Sequence, residues 1–219
     1  MRSFHNLSAL IQAGLIVTLV LAGEGRSQDQ GPSTGPSLPP GNQPLKADPS
    51  KDLFELALQS YREAGEITNL RRRNDTYSAA ARQFTRFYLR FRDHPDAIKA
   101  VYYRAICYQK LDNREGYLTG LDEVLTLKRT GALVGAAAYQ RALEHYKVEQ
   151  YAEAEPLFGV AASESDEPSY RHRALYIRAL CFEKLEEKQK TVSALKAILA
   201  DTGSPYQPKA ERVLAHHYL

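Results

Sequence analysis

The chain has 219 residues, and its 29 Lys and Arg side chains nearly balance its 26 Asp and Glu side chains, which leaves a formal net charge of +3. Because this charge is small, the composition excludes a strongly basic or strongly acidic protein and argues neither for nor against nucleic-acid binding. The stretch after position 50 is long enough for one domain with a sizeable core.

The N-terminal segment has the pattern of a secretory signal peptide. Eight residues with a single Arg precede an apolar run from Ala9 to Gly23, and small residues between positions 22 and 25 offer cleavage sites. The run is shorter than the roughly 20 apolar residues that span a membrane comfortably. We therefore expect residues 1–25 to be a signal peptide and the protein to be secreted or periplasmic. An uncleaved N-terminal membrane anchor is the alternative.

Residues 26–50 are rich in Pro, Gly, Ser and polar side chains and contain almost nothing that a core could bury. Such a composition predicts a disordered or extended linker. The folded domain is then predicted to comprise residues 51–219.

A 12-residue segment occurs three times at a spacing of 37 residues. The copies are AVYYRAICYQKL at 100–111, AAYQRALEHYKV at 137–148 and ALYIRALCFEKL at 174–185, and five of the twelve columns are identical in all three. A second pair, DTYSAAARQF at 75–84 and EQYAEAEPLF at 149–158, is separated by 74 residues, which is two periods. Each repeat unit therefore contains two different segments.

Both segments have helical spacing, and no stretch of the domain alternates with a period of two. One apolar stripe follows the i, i+3, i+4, i+7 pattern: Phe84, Phe87, Tyr88 and Phe91. We predict an all-α fold, an α-solenoid of antiparallel helix pairs. The predicted helices are 52–69, 75–92, 96–111, 114–128, 132–148, 151–163, 169–186, 188–201 and 206–218.

The spacing of small, large and aromatic residues within one unit resembles the consensus of the tetratricopeptide-repeat (TPR) family. The matching positions, in the order small, large, Tyr, Ala, Phe, Ala, are Ala142, His145, Tyr151, Ala154, Phe158 and Ala161. The resemblance covers residues 52–219, about four repeats and one further helix. It implies a scaffold that binds protein partners in a groove lined by the first helices of the repeats.

A narrower resemblance concerns the segment RFYLRFRDHPDAIKAVYYRA. It is similar to repeat units of envelope proteins in outer-membrane assembly and the Tol-Pal system. This resemblance implies a scaffold of the bacterial cell envelope that holds a peptide segment or another subunit.

Three features depart from the family pattern. The period is 37 rather than 34 residues. Pro156 lies inside a second helix, which tolerates it only if the helix starts near Ala152 and places the Pro in its first turn. Arg104, Arg141 and Arg178 occupy a position where the family usually has a buried Leu. Either their charged heads reach an acid or water, or the assigned register is locally wrong.

The resemblance also selects a binding surface. The Tyr three residues before each repeated Ala falls where the family lines its groove: Tyr102, Tyr139 and Tyr176. Helical geometry adds the residues four and seven positions later: Ile106, Leu143, Leu180, Gln109, Tyr146 and Glu183. One residue further on stand three lysines: Lys110, Lys147 and Lys184. We expect this surface to bind an extended peptide with apolar or aromatic anchors and some acids. The alternative is that the tyrosines only pack between repeats.

No catalytic or metal site is predicted. Residues 31–35 match the nucleophile-elbow pattern but lie in the linker, where no strand and helix would expose Ser33. No two of the six His residues have the i, i+4 spacing of metal-binding helices. We expect no enzyme activity, no cofactor, no nucleic-acid partner and no stable membrane insertion after signal cleavage. An interaction part or accessory subunit of an envelope enzyme is the alternative.

Cys107 and Cys181 occupy equivalent positions two repeats apart, which places them roughly 16 Å or more from each other. A disulfide requires Cα atoms within about 7 Å. Both are therefore expected to remain free thiols in the core.

Residues 62–104 are locally basic, with ten Lys or Arg side chains against five Asp or Glu side chains. Arg82, Arg86 and Arg90 lie four residues apart on one helix, where like charges cost roughly 0.2 to 0.5 kcal/mol per pair. One interpretation is an anion-binding face for an acidic partner, an anionic glycan or lipid headgroups. The other is a solvated outer face.

Overall fold

The structure is a computed structural model and describes residues 48–127 and 130–217. Within these ranges the chain forms nine α-helices and no strand. They are α1 (Pro49–Glu66), α2 (Leu70–Arg90), α3 (Ala97–Lys110), α4 (Arg114–Thr126), α5 (Ala132–Lys147), α6 (Tyr151–Ser163), α7 (Pro168–Lys184), α8 (Lys188–Ala200) and α9 (Gln207–Ala215). The predicted all-α fold is confirmed.

Each helix packs against the next one in the sequence. Four pairs form successive repeats, α1/α2, α3/α4, α5/α6 and α7/α8, and α9 follows the last pair. The first helices of two neighbouring repeats, α3 and α5, also contact each other. This arrangement is an α-solenoid, in which each repeat is packed on its neighbours.

The 37-residue period determines the core. Large apolar residues recur at this spacing on the second helices and are completely buried: Phe84, Leu121, Phe158 and Leu195. On the first helices the recurring, completely buried residue is small: Ala105, Ala142 and Ala179. The packing is close here, because a Cβ atom added to Gly120 would lie 2.6 Å from the Cβ of Ala105.

The turns within the three later repeats share one conformation. Asp112, Glu149 and Glu186 are again 37 residues apart, and their φ angles are 55°, 61° and 59°. The backbone N–H of the residue after each donates to the carbonyl five positions back, at 2.9 to 3.0 Å. This is the Schellman motif, which usually has Gly at the left-handed position because a Cβ is crowded there.

The first repeat differs from the prediction at its turn. α1 ends at Glu66 and α2 begins at Leu70, not at 69 and 75. The reason is a helix cap: the Asn69 side chain accepts a hydrogen bond of 3.0 Å from the backbone N–H of Arg72. As a result α2 has 21 residues, whereas α4, α6 and α8 have 13 each.

The position of Pro156 also differs from the expectation. α6 spans Tyr151–Ser163, as predicted, and starts within one residue of Ala152, but Pro156 is its sixth residue and lies beyond the first turn, where it was expected. The Pro lacks a backbone N–H and so leaves the Ala152 carbonyl without its usual helical donor.

The two cysteines are free, completely buried and located in different parts of the core. Cys107 lies in a cluster with Phe54 and Phe87, and Cys181 lies in a cluster with Phe158. Burial raises the pKa of each thiol to about 12. The thiols are therefore separated, as the repeat register predicted.

The predicted signal peptide and most of the predicted linker lie outside the described residues. The last linker positions belong to the folded part, since Asp48 caps α1 by accepting a hydrogen bond from the Ser50 backbone N–H and Pro49 is the first helical residue. In the described part of the chain, no helix is long and apolar enough to cross a membrane.

Candidate interaction surface

The predicted groove residues form rows of equivalent positions on α3, α5 and α7. Because the repeat period is constant, each row crosses the three helices with one residue per helix. The tyrosine row, the apolar row and the lysine row differ in how much of each side chain solvent can reach. These differences decide which residues a partner could contact.

The tyrosine row lies mostly inside the core. Tyr102 and Tyr139 are 7% and 2% exposed, and Tyr176 is half-buried. The Tyr139 ring contacts Tyr170 and Phe158, with ring centroids 4.6 and 5.6 Å away. Burial raises the pKa of Tyr139 to about 12. This ring joins α5 to α6 and α7, so the row offers a partner little area except at Tyr176.

Two tyrosines on these helices keep part of their surface accessible. Tyr176 stacks on Tyr206, with ring centroids 5.2 Å apart and an interplanar angle of 26°. Tyr146 packs edge-on against Tyr151, with centroids 5.2 Å apart. Both are half-buried, so each can offer an aromatic surface that its neighbouring ring already holds in place.

The apolar row and the lysine row remain accessible. The apolar residues are half-buried: Ile106, Leu143 and Leu180. The lysines are exposed: Lys110, Lys147 and Lys184. Of the positions between them, Gln109 is exposed and Glu183 is half-buried. An apolar strip therefore runs beside a row of ammonium groups, which is complementary to a segment with apolar side chains and carboxylates.

Glu144 belongs to this region and was not found from the sequence. Its carboxylate accepts hydrogen bonds from Lys147 Nζ at 2.5 Å and from Arg114 Nη2 at 3.0 Å. Partial burial opposes ionisation, but the two cations outweigh it and lower the pKa of Glu144. Lys147 is thus partly neutralised, whereas Lys110 and Lys184 have no ion pair among the described residues. The sequence could have indicated the contact with Lys147, which lies three residues after Glu144 on the same helix. It could not indicate the contact with Arg114, which lies in the preceding repeat.

The repeated arginines connect first helices to second helices. Each donates to a carboxylate on a second helix: Arg104 to Glu123, Arg141 to Asp122 and Arg178 to Glu155. The bonds from the Nε atoms of Arg141 and Arg178 are 2.7 and 2.5 Å long. The charged heads therefore reach acids, the first of the two explanations that the sequence left open, and they belong to the packing of the repeats rather than to the groove.

The described ranges contain no group of three or more His, Cys, Asp or Glu side chains that could hold a metal ion. The nucleophile-elbow pattern at 31–35 lies outside them.

No protein-family model matches the chain, and no curated protein sequence matches it. Among solved structures, MamA (residues 41 to the end) from Desulfovibrio magneticus RS-1 is 20% identical, with 76% of this chain and 84% of that chain covered and a TM-score of 0.50. A Podosopora anserina kinesin light chain with nearly identical TPR-like repeats is 17% identical, with 78% and 87% covered and a TM-score of 0.48. PilW, a type IV pilus biogenesis factor, is 19% identical, with 77% and 68% covered and a TM-score of 0.44.

These identities are low, so the likeness concerns the fold alone. The four sequential helix pairs, the consensus spacing in the sequence and the similarity to MamA agree. The repeat array has the tetratricopeptide-repeat fold.

Proposed function

We propose that this chain with the TPR fold is a protein–protein interaction scaffold, which holds a peptide segment or a subunit on the first helices of its later repeats. The observation that carries the proposal is the apolar row beside the lysine row on α3, α5 and α7. The three lysines are the last residues of α3, α5 and α7, where the helix dipole also favours a cation, so the apolar row beside them is needed to identify a binding surface.

The chemistry of these rows defines the partner. Half-buried aliphatic side chains can accept apolar anchors at little cost, because they are already fixed by their helices. The lysines favour a partner that carries acids beside those anchors. Tyr146 and Tyr176 add aromatic contact area, while Tyr102 and Tyr139 support the surface from beneath.

We further propose that the scaffold works in the bacterial cell envelope. The support is the apolar run from Ala9 to Gly23, which has the pattern of an export signal. The partner should therefore be sought in an envelope extract.

Site-specific photo-crosslinking tests the proposal. A benzophenone amino acid is placed at Leu143 or at Leu180, both on the proposed surface, and at Ser193 as a control on the exposed side of α8. We expect one protein of the envelope extract to crosslink from both surface positions and not from Ser193, as identified by mass spectrometry. Equal crosslinking from all three positions would contradict the proposal.

A charge variant separates specific binding from chance contact. Lys110→Glu combined with Lys184→Glu is expected to reduce the yield of that crosslink at least fivefold, because both ammonium groups are exposed and form no ion pair within the described part of the chain. The matched control, Lys188→Glu combined with Lys196→Glu on α8, removes the same charge elsewhere and is expected to change the yield less than twofold. Unaltered melting of both variants shows that the fold is intact.

A further inference from the structure

The outer side of α2 carries an arginine ridge that the proposed groove does not use. It consists of the exposed arginines of this helix: Arg71, Arg72, Arg82, Arg86 and Arg90. The whole helix contains six Arg and a single acid, Asp75. No arginine of α2 takes part in an ion pair among the described residues, in contrast to the repeated arginines of the later repeats.

The ridge does not serve the stability of the helix. Arg82, Arg86 and Arg90 repel each other at a spacing of four residues. Arg71 and Arg72 lie in the first turn, where the helix dipole disfavours positive charge, and no acid stands there to compensate. Arg90 is the exception, because it lies in the last turn, where the helix dipole favours a cation, and its guanidinium lies 5.3 Å from the centre of the Phe91 ring. The other four cations do not stabilise the helix and therefore indicate a role outside the fold.

The geometry of the ridge indicates what it can bind. On a helix, residues four apart rise by about 6 Å, so the guanidinium groups of Arg82, Arg86 and Arg90 repeat at that interval along the axis. Carboxylates at the same four-residue spacing on a partner helix repeat at the same interval. Alternate residues of an extended strand are about 6.6 to 6.8 Å apart, which exceeds the ridge spacing by roughly 1.5 Å over its two intervals, so a helix gives the closer match. Arginine and carboxylate can also pair through two parallel hydrogen bonds.

The surroundings of the ridge disfavour other anionic partners. Single-stranded nucleic acid binds where exposed aromatic rings stack on its bases, but Tyr77, Phe84 and Phe87 of α2 are buried. Tyr88 is half-buried and lies about 160° around the helix from Arg86, away from the ridge. A membrane surface requires an apolar row on the same helix. Leu89, which is 59% exposed, is the one large apolar residue within about 60° of Arg86 on this helix, so the described surface provides an anchor point rather than a row.

We infer that α2 is a second docking surface, which binds an acidic helical segment of a partner protein whose carboxylates are spaced four residues apart. An apolar residue of that segment covers Leu89. The groove and the ridge are on different helices, so one scaffold can hold two partners at the same time.

The test uses a synthetic 21-residue helical peptide with Glu at every fourth position and Leu on the same face. A second peptide of identical composition has its Glu residues at irregular spacing. Fluorescence anisotropy measures the binding of both to the full chain at 50 and 300 mM NaCl. We expect the regular peptide to bind at least fivefold more tightly than the irregular one, and its binding to weaken with salt.

Three variants complete the test. Arg82→Gln, Arg86→Gln and Arg90→Gln together are expected to weaken binding of the regular peptide at least tenfold. Lys188→Gln, Lys190→Gln and Lys196→Gln together, the matched control on α8, are expected to change it less than twofold. Circular dichroism shows whether each variant is folded. If the arginine triple variant unfolds, the single change Arg86→Glu replaces it in the binding test and is expected to weaken binding at least fivefold.

Several results would overturn the inference. Equal binding of the two peptides would mean that the ridge attracts any acidic peptide regardless of the spacing of its carboxylates. Unchanged binding by the arginine variants would mean that the peptide binds at another surface. Tighter binding to a 20-nucleotide single strand or to vesicles with 30% phosphatidylglycerol, lost in the arginine triple variant, would assign the ridge to nucleic acid or to lipid instead.

Discussion

The first repeat and the later repeats share the same type of core but use their charged residues differently. In α4 and α6 the acids outnumber the bases, and three of these acids bind the repeated arginines of the first helices. In α2 the arginines outnumber the acids six to one, and none of them forms an ion pair among the described residues. Charge therefore contributes to packing around α4 and α6, whereas it remains on the surface in α2 and also in α8, which contains three Lys and no acid.

The helix lengths follow the same division. α2 has 21 residues, eight more than α4, α6 or α8, and the additional turns at its start include Arg71 and Arg72. One repeat pattern therefore specifies the core of every unit, while the charged residues on the polar faces differ between units. Substitutions in the two regions should consequently separate stability from binding.

The largest effect is expected where the two regions are alike. Phe84 and Phe158 occupy equivalent positions, and both are completely buried. Phe84→Ala and Phe158→Ala are each expected to lower the free energy of unfolding by about 3–5 kcal/mol, because they leave cavities in the core. Urea denaturation followed by circular dichroism measures this change. Leu89→Ala, at an exposed position of α2, is the control and should alter stability by less than about 0.5 kcal/mol.

The expectation of equivalent cores would be wrong if Phe84→Ala left the free energy of unfolding unchanged while Phe158→Ala lowered it. It would mean that the first repeat is not part of the cooperative unit formed by the others.

Effects of intermediate size are expected for Arg104 and Arg86, and the two substitutions should change the free energy of unfolding in opposite directions. Arg104→Gln removes an ion pair whose arginine side chain is 13% exposed, and we expect the free energy of unfolding to fall by about 1–2 kcal/mol. Arg86→Gln removes the repulsion between Arg86 and its two like-charged neighbours, and we expect the free energy of unfolding to rise by about 0.4–1 kcal/mol. The substitution is chemically identical at both sites, so denaturation curves of the two variants compare the two environments directly. A loss of stability in both would show that Arg86 also supports the fold.

Much of the fold was predictable because helix formation depends on local spacing of apolar residues. The order of the helices, their pairing and the buried positions at Ala105, Phe158 and their equivalents all follow from the 37-residue period. The start of α2 was not predictable from that period, since it depends on Asn69, a cap that occurs in one repeat only. The acid partners of the repeated arginines lie 19 to 23 residues away on other helices, beyond any local pattern.

The candidate site was predictable only in part. Helical geometry gives the direction in which a side chain points, and this was enough to predict the row of lysines. It does not give what packs on a side chain. Tyr139 points along the same face, yet Tyr170 of the next repeat lies against its ring. That contact depends on the angle between α5 and α7, which no sequence spacing contains.

The smallest effect is expected at the left-handed turns, which occur in the later repeats. Glu149 has a φ of 61°, a conformation that costs a non-glycine residue roughly 1–2 kcal/mol. Glu149→Gly removes this strain but increases the freedom of the unfolded chain, so we expect a net gain in the free energy of unfolding of about 0.5 kcal/mol. Glu149→Ala is the control, because it removes the same carboxylate and keeps the strain. It should give no gain, and an equal gain in both variants would assign the effect to the charge rather than to the backbone.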